Sequence, residues 1–178
     1  TEQTEEGKLI QAIAYANQKI YETSSKETAL NGMGTTVVAV IAQPTAIFIG
    51  FVGDSRAYLF QKNKVEQLTQ DHSLVNEYIR KGLLTPEAAE HHPLKHVISR
   101  ALGTNASVQA EMIRKVPSLG DTFILCSDGL SNKVTPPEIA SILSETQGNI
   151  EKAGNALIQR AKEKGGEDNI TAILVAYQ

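Results

Sequence analysis

Three aspartates lie in short glycine- and serine-rich strings, and each string adjoins an apolar, strand-like run. They are Asp54 in Gly-Asp-Ser-Arg, Asp128 in Ser-Asp-Gly-Leu and Asp168 in Gly-Glu-Asp-Asn. Loops at the ends of strands are a common place for functional side chains on a rigid scaffold. The pattern therefore predicts a β-rich fold that gathers carboxylates at one end of a sheet. Carboxylate oxygens are ligands that Mg²⁺ and Mn²⁺ prefer, and these ions suit phosphate chemistry.

Each of these strings, taken alone, is also typical of an ordinary turn, because glycine, aspartate and serine are turn-forming residues. The joint pattern is what favours a site. Carboxylates that cluster repel one another and destabilise a fold unless a counter-charge offsets them. A divalent cation supplies that counter-charge.

The composition indicates one folded globular domain over residues 1–178, with 41% hydrophobic and 21% charged residues. The formal net charge of −3 gives no reason to expect nucleic acid as a partner. No apolar run is long enough to predict membrane insertion, and the acidic start does not resemble a signal peptide. The single cysteine excludes an internal disulfide and indicates a cytoplasmic location.

Nucleophilic side-chain catalysis has no support in the sequence. Cys126 lies in a strand-like apolar run, which favours a small buried hydrophobe over a nucleophile. His72 and the group His91, His92 and His96 match no standard zinc spacing, and we interpret them as surface or flap histidines. His72 alone is also considered as a contact at a helix start. No catalytic side chain is therefore assigned.

Hydrophobic periodicity predicts a mixed α and β chain. Strands are predicted at 34–42, 46–52, 57–61, 65–68, 108–116, 121–126 and 170–177. Helices are predicted at 5–24, 135–144 and 148–164, with a polar helical segment at 72–92. The first two strands are almost continuously apolar, which predicts that both of their faces are covered.

Six strings occur in an order that is specific as a set. They are GMGTT at 32–36, VGDSRAY at 52–58, LTQDHS at 68–73, SRALG at 99–103, CSDGL at 126–130 and EDNIT at 167–171. In this order they closely resemble the metal-dependent serine/threonine protein phosphatases of type 2C, in their bacterial form. The resemblance covers essentially the whole chain from the first helix onward.

The resemblance implies an α+β fold, a β-sandwich flanked by helices, with a centre of two or three Mn²⁺ or Mg²⁺ ions. It implies that Asp128 and Asp168 are core metal ligands and that Asp54 belongs, with Asp128, to a third metal site. It also implies a mobile flap at about 72–95. The expected activity is dephosphorylation of phosphoserine and phosphothreonine in proteins by a metal-activated water. The expected partners are phosphoproteins made by a cognate serine/threonine kinase.

The family's N-terminal portion, with its first strands and an aspartate that bridges the two core metals, has no counterpart in this sequence. GMGTT at 32–36 lacks a preceding aspartate, because Asn31 stands there. The sequence thus leaves a second reading open, a catalytically incomplete binding or regulatory module with the same fold. A third reading is a metal-dependent hydrolase of another phosphoester. The oligomeric state is not predicted.

Overall fold

The computed structural model of the chain describes residues 4–178 and, at Glu90, the backbone alone. These residues form two compact units. The first unit comprises residues up to 41, together with 48–54 and 70–113, and the second comprises 42–47, 55–69 and 114–178.

The helices begin at residues that suit helix N-termini. Their bounds are α1 Glu5–Lys26, α2 Leu74–Arg80, α3 Pro86–Glu90, α4 Asp128–Ser131, α5 Pro136–Glu145 and α6 Ile150–Glu163, with a 3₁₀ turn at Thr28–Leu30. Side chains cap two of these N-termini, because the Thr85 side chain accepts the N–H of Ala88 and Thr135 forms a capping box with Glu138. Among the described helices, none combines the length and apolarity that a membrane crossing needs.

The strands form two sheets. Their bounds are β1 Val37–Gln43, β2 Ala46–Val52, β3 Arg56–Gln61, β4 Lys64–Gln67, β5 Glu111–Lys115, β6 Thr122–Cys126 and β7 Ala172–Ala176. One sheet has the order β1-β2-β5, and the other has the order β4-β3-β6-β7. In the four-stranded sheet all neighbours are antiparallel, with Arg56 opposite Cys126 and Cys126 opposite Ala172.

Each unit has its own apolar core. In the first unit Leu9 and Ile13 of α1 pack with Val52 and Leu102. The helix approaches the sheet closely, because a Cβ at Gly50 would lie 2.8 Å from Cδ1 of Ile13. The core of the second unit is larger, and its members are contributed by β3, β6 and helices α4 to α6. They include Tyr58, Ile124, Leu130, Ile139 and Leu157, all 0% exposed.

Two local expectations were wrong, namely the covered faces of β1 and the start of β5 at residue 108. Strand β1 is only partly buried, whereas β2 is almost fully buried, because β1 lies at the end of its sheet's strand order. The Ser-Asp-Gly string, whose residues alone are also typical of a turn, opens a one-turn helix, α4. Residues 108–110 lie outside β5. Apolar composition cannot reveal which strand has a neighbour, so these features depend on tertiary contacts.

Candidate metal centre

Sheet pairing brings the strings of Asp128 and Asp168 together in the second unit. Cys126, the last residue of β6, lies opposite Ala172, the first residue of β7. The residues that follow β6 and those that precede β7 therefore leave the sheet at the same end. The backbone N–H of Ser127 continues the pairing by donating to the Thr171 carbonyl oxygen at 3.2 Å.

The Ser127 hydroxyl fastens the two strings to each other. It donates to the Asn169 carbonyl oxygen at 2.9 Å and accepts the backbone N–H of Thr171 at 3.0 Å. One side chain next to Asp128 thus holds the backbone on the C-terminal side of Asp168. These two bonds satisfy backbone polar groups that lie beyond the paired residues of β6 and β7.

Gly129 allows the strings to touch. A Cβ on Gly129 would lie 2.4 Å from the Asn169 carbonyl oxygen, which is backbone and cannot swing aside. Every other residue carries a Cβ, so this close approach requires glycine. An ion pair adds to it, because Lys133 Nζ lies 2.5 Å from Oε2 of Glu167, the residue before Asp168.

Both carboxylates are reachable and keep acceptor capacity. Asp128 Oδ2 accepts from Asn132 Nδ2 at 3.4 Å, and Asp168 Oδ1 accepts the neighbouring Asn169 N–H at 2.7 Å. Asp128 is partly exposed and Asp168 is exposed. A carboxylate accepts about four hydrogen bonds or cation contacts, so oxygen lone pairs remain for a metal ion.

The donor set fits a divalent cation in part. Two carboxylates on packed loops suit a hard ion such as Mg²⁺ or Mn²⁺, which prefers oxygen ligands. Within residues 4–178, no group of three or more histidine, cysteine, aspartate or glutamate side chains is placed to hold a metal by itself. A cation held by Asp128 and Asp168 would therefore need further ligands or waters.

Asp54 lies in the first unit, directly after β2. It is partly buried and follows Gly53, which has a φ of +108°. A Cβ on Gly53 would lie 2.3 Å from Cγ2 of Thr36, so conformation and space both require glycine at this position. The turn that carries Asp54 can therefore adopt this backbone conformation only with glycine at position 53.

His72 was misplaced by the sequence interpretation, because it is 1% exposed and belongs to the interior of the first unit. Its Nδ1 accepts the Gly53 N–H at 3.0 Å, and its Nε2 lies 3.0 Å from Oε1 of Glu111. Burial lowers the pKa of His72 below its ordinary value of 6.5, although the hydrogen bond with Glu111 opposes this shift. Only its position just before Ser73, the N-cap of α2, hinted at a structural role.

The remaining histidines and the cysteine match expectation. His91 and His96 are exposed, and His92 Nδ1 accepts the Leu94 N–H at 3.1 Å while its ring meets the edge of Tyr78. Cys126 is 2% exposed in β6. An apolar strand gives its thiol no support for a nucleophilic role.

Comparison with known proteins identifies the family. Residues 1–172 match the family model described as Protein phosphatase 2C. The chain belongs to the protein phosphatase 2C family. It is similar to the serine/threonine phosphatase stp of Listeria welshimeri, with 44% identity over 167 residues that cover 94% of this chain and 66% of the relative. It is also similar to protein phosphatase PhpP of Streptococcus pneumoniae, with 40% identity, covering 90% of this chain and 64% of the relative.

Solved structures show the same relationship. The serine/threonine phosphatase Stp1 from Staphylococcus aureus matches all of this chain over 70% of its own, with a TM-score of 0.92 and 36% identity. The catalytic domain of the serine/threonine protein phosphatase PstP, in complex with two manganese ions, matches 98% of this chain over 72% of its own, with a TM-score of 0.84 and 31% identity.

These likenesses confirm the expected fold class, an α+β fold with two sheets and flanking helices. The chain spans about two thirds of the length of the curated relatives it matches.

Proposed function

We propose that this chain is part of a metal-dependent phosphatase that removes phosphate from phosphoserine and phosphothreonine in proteins. The observation that carries the proposal is the packing of Gly129 against Asn169, which sets Asp128 and Asp168 on touching strings. Relatives with 40–44% identity are named as serine/threonine or protein phosphatases, which supports this substrate class.

Asp128 and Asp168 would hold core Mn²⁺ or Mg²⁺ ions, and Asp54 would hold a further ion. When bound, such ions supply an activated water as nucleophile and offset charge on the phosphoryl oxygens. The chain's own contribution is to orient the carboxylates. Ser127 fixes the backbone that follows Asp168, while the Lys133–Glu167 pair restrains the residue that precedes it.

The substrates that we propose are phosphoproteins made by a cognate serine/threonine kinase. We also propose that the protein acts in the cytoplasm, in line with its single, buried cysteine. The segment at about 72–95, which includes α2 and α3, would shape access for the substrate.

A catalytically incomplete binding module remains the second candidate. One observation favours it, because the described residues hold no complete ligand group of three or more metal-binding side chains. Such a module would bind phosphoproteins without turnover.

The test measures Mn²⁺-dependent phosphate release from a phosphothreonine peptide and from a small aryl phosphate. The chain is assayed alone and with the upstream coding residues of its gene included. We expect peptide turnover in the longer form. Turnover of the small phosphate alone would support a hydrolase of another phosphoester. Mn²⁺ binding without turnover of either would support the binding module.

The ligand assignment is tested in the active form with Asp128→Asn and Asp168→Asn. Even outer partners of metal sites change affinity or activity by about 10- to 100-fold, so we expect losses of about 100-fold or more. Glu151→Gln is the matched control, because it removes one negative charge from the exposed first turn of α6. Wild-type activity in either aspartate variant would overturn that assignment.

A further inference from the structure

The backbone of the Gly53–Asp54 turn is held by hydrogen bonds to a residue that lies elsewhere in the chain. Gly53 has a φ of +108°, and glycine loses more conformational freedom on folding than any other residue. A turn of this kind keeps one conformation only when neighbouring groups hold it. Both polar backbone groups of Gly53 are in fact held by a single residue. Its N–H donates to Nδ1 of His72 at 3.0 Å, and its carbonyl oxygen accepts the His72 N–H at 2.8 Å.

The hydrogen bonds define the protonation state of the ring. A backbone N–H can only donate, so the Nδ1 that faces Gly53 must be unprotonated. The ring proton therefore lies on Nε2, which donates to Oε1 of Glu111 at 3.0 Å. The imidazole acts as a neutral bridge from the Gly53 amide to the first residue of β5.

The surroundings keep the bridge rigid and neutral. Phe51 stacks on the ring with centroids 5.2 Å apart and an interplanar angle of 16°. Arg100 Nη1 lies 3.3 Å from Nε2 of the ring and 3.5 Å from Oε1 of Glu111, and Arg80 Nη1 lies 3.9 Å from that oxygen. Arg100 also donates to the Gln109 carbonyl oxygen at 3.1 Å, so it is anchored independently. Two cations beside a buried ring disfavour a third positive charge.

We propose that His72 is a positioning residue that holds the Gly53–Asp54 turn in the conformation that presents the Asp54 carboxylate to a divalent cation. The inference rests on the proposed function at Asp54 and adds a residue to it. This role requires no contact between His72 and the substrate or the reacting atoms. It acts through the Gly53 amide, and Glu111 and Phe51 set its orientation.

Two substitutions separate the two ring bonds. Asn carries an oxygen near the position of Nδ1, so His72→Asn can still accept the Gly53 N–H but cannot reach Glu111. Gln carries its amide near the position of Nε2, so His72→Gln can still donate to Glu111 but offers Gly53 no acceptor. A purely structural role predicts that both variants change stability without separating in metal affinity.

The experiment uses Mn²⁺ alone as the probe and titrates it by calorimetry into the chain with its upstream coding residues included. Wild type and Asp54→Asn are titrated first. The component of the Mn²⁺ binding that is lost in Asp54→Asn is assigned to the cation at Asp54. We expect His72→Gln to weaken this component by about 10- to 100-fold, as outer partners of metal sites do. We expect His72→Asn to stay close to wild type. His92→Gln, on a partly exposed histidine whose ring also accepts a backbone N–H, is the control and should leave this Mn²⁺ component unchanged.

Amide hydrogen exchange at Gly53 provides a second readout that needs neither metal nor activity. Protection should persist in His72→Asn and fall in His72→Gln, because local opening exposes an amide that has lost its acceptor. If Gly53 loses protection in His72→Gln while the Mn²⁺ component is unchanged, the proposal is wrong. Equal weakening in both variants also overturns it. Wild-type Mn²⁺ binding without any phosphatase activity would instead refute the proposed function and leave this test valid.

Discussion

Gly129 and Asn169 lie in direct backbone contact, so that a Cβ on Gly129 would be 2.4 Å from the Asn169 carbonyl oxygen. The two residues are neighbours of Asp128 and Asp168, respectively. This contact brings together the strings that carry the two aspartates, which are 40 positions apart in the chain.

Gly129→Ala should therefore push the two strings apart. Overpacking typically costs about 1–3 kcal/mol, and we expect a loss of unfolding free energy in that range together with weaker Mn²⁺ binding. Urea unfolding and calorimetry measure the two effects. Gly154→Ala in α6 is the control, because the nearest atom to its Cβ would be Leu174 Cδ1 at 3.8 Å. It should stabilise the chain by about 0.5–1 kcal/mol. Wild-type stability and Mn²⁺ affinity in Gly129→Ala would contradict the contact.

Ser127→Ala removes the hydroxyl that bonds to Asn169 and Thr171. A hydrogen bond contributes about 0.5–1.5 kcal/mol net, and water can reach this partly exposed site, so we expect a loss of about 1–2 kcal/mol. The rate of phosphate release should fall by more than the small increase in unfolded protein can explain, because the loop that carries Asp168 loses a restraint on its backbone. Ser144→Ala is the control, since that exposed hydroxyl bonds only within α5. Equal activity of the two variants at saturating Mn²⁺ would argue against the restraint.

Asn17→Ala should destabilise the first unit. Asn17 is 1% exposed, its Oδ1 accepts the Gly103 N–H at 2.8 Å, and its Nδ2 donates to the carbonyl oxygens of Asn105 and Ala106. Leaving a buried N–H unpaired costs about 1–3 kcal/mol, which is the loss we expect in urea unfolding.

Asn17→Asp should also be destabilising, because a carboxylate would face the two carbonyl oxygens that the amide now donates to. Gln18→Ala, one position along on the exposed side of α1, should be nearly neutral. If Asn17→Ala were as stable as Gln18→Ala, the buried bonds would have no energetic role.

Acid stability should depend on Glu138. Lys164, the Thr135 backbone N–H and Arg160 together hold the pKa of Glu138 well below its ordinary value of 4.5. A carboxyl whose pKa is lower in the folded than in the unfolded state stabilises the fold above its unfolded pKa. That contribution is lost progressively as the pH falls below about 4.5.

Thermal unfolding followed from pH 7 downward checks this effect, with pH values near about 4.5 and below being the informative ones. Glu138→Gln should be less stable than wild type at neutral pH and should lose less stability on acidification. Glu151→Gln, which lacks these partners, should follow the wild-type curve. Parallel curves for wild type and Glu138→Gln would contradict the linkage.

Local chemistry explains which parts of the structure could be predicted from sequence. The capping box of Thr135 and Glu138, the Thr85 cap before Pro86 and the bounds of β2 all depend on residues that are close in the chain. The order of six short strings was sufficient to indicate the family that the comparisons confirmed.

Features that depend on distant residues could not be predicted in the same way. His72 was interpreted as a surface or flap residue, because a polar neighbourhood in sequence does not show that Gly53 and Glu111 surround the ring. The partial exposure of β1 was missed, because an apolar run does not reveal which strands have neighbours.

Residue type and local order were enough to indicate the family, most helix and strand positions, and Asp54, Asp128 and Asp168 as candidate ligands. Three contacts could be seen only in the folded chain: Gly129 against Asn169, the Ser127 hydroxyl on the Asn169 carbonyl oxygen, and the Gly53 N–H on the His72 ring. The physical reason is that these contacts join residues 19 to 42 positions apart, which chain folding and strand pairing bring together.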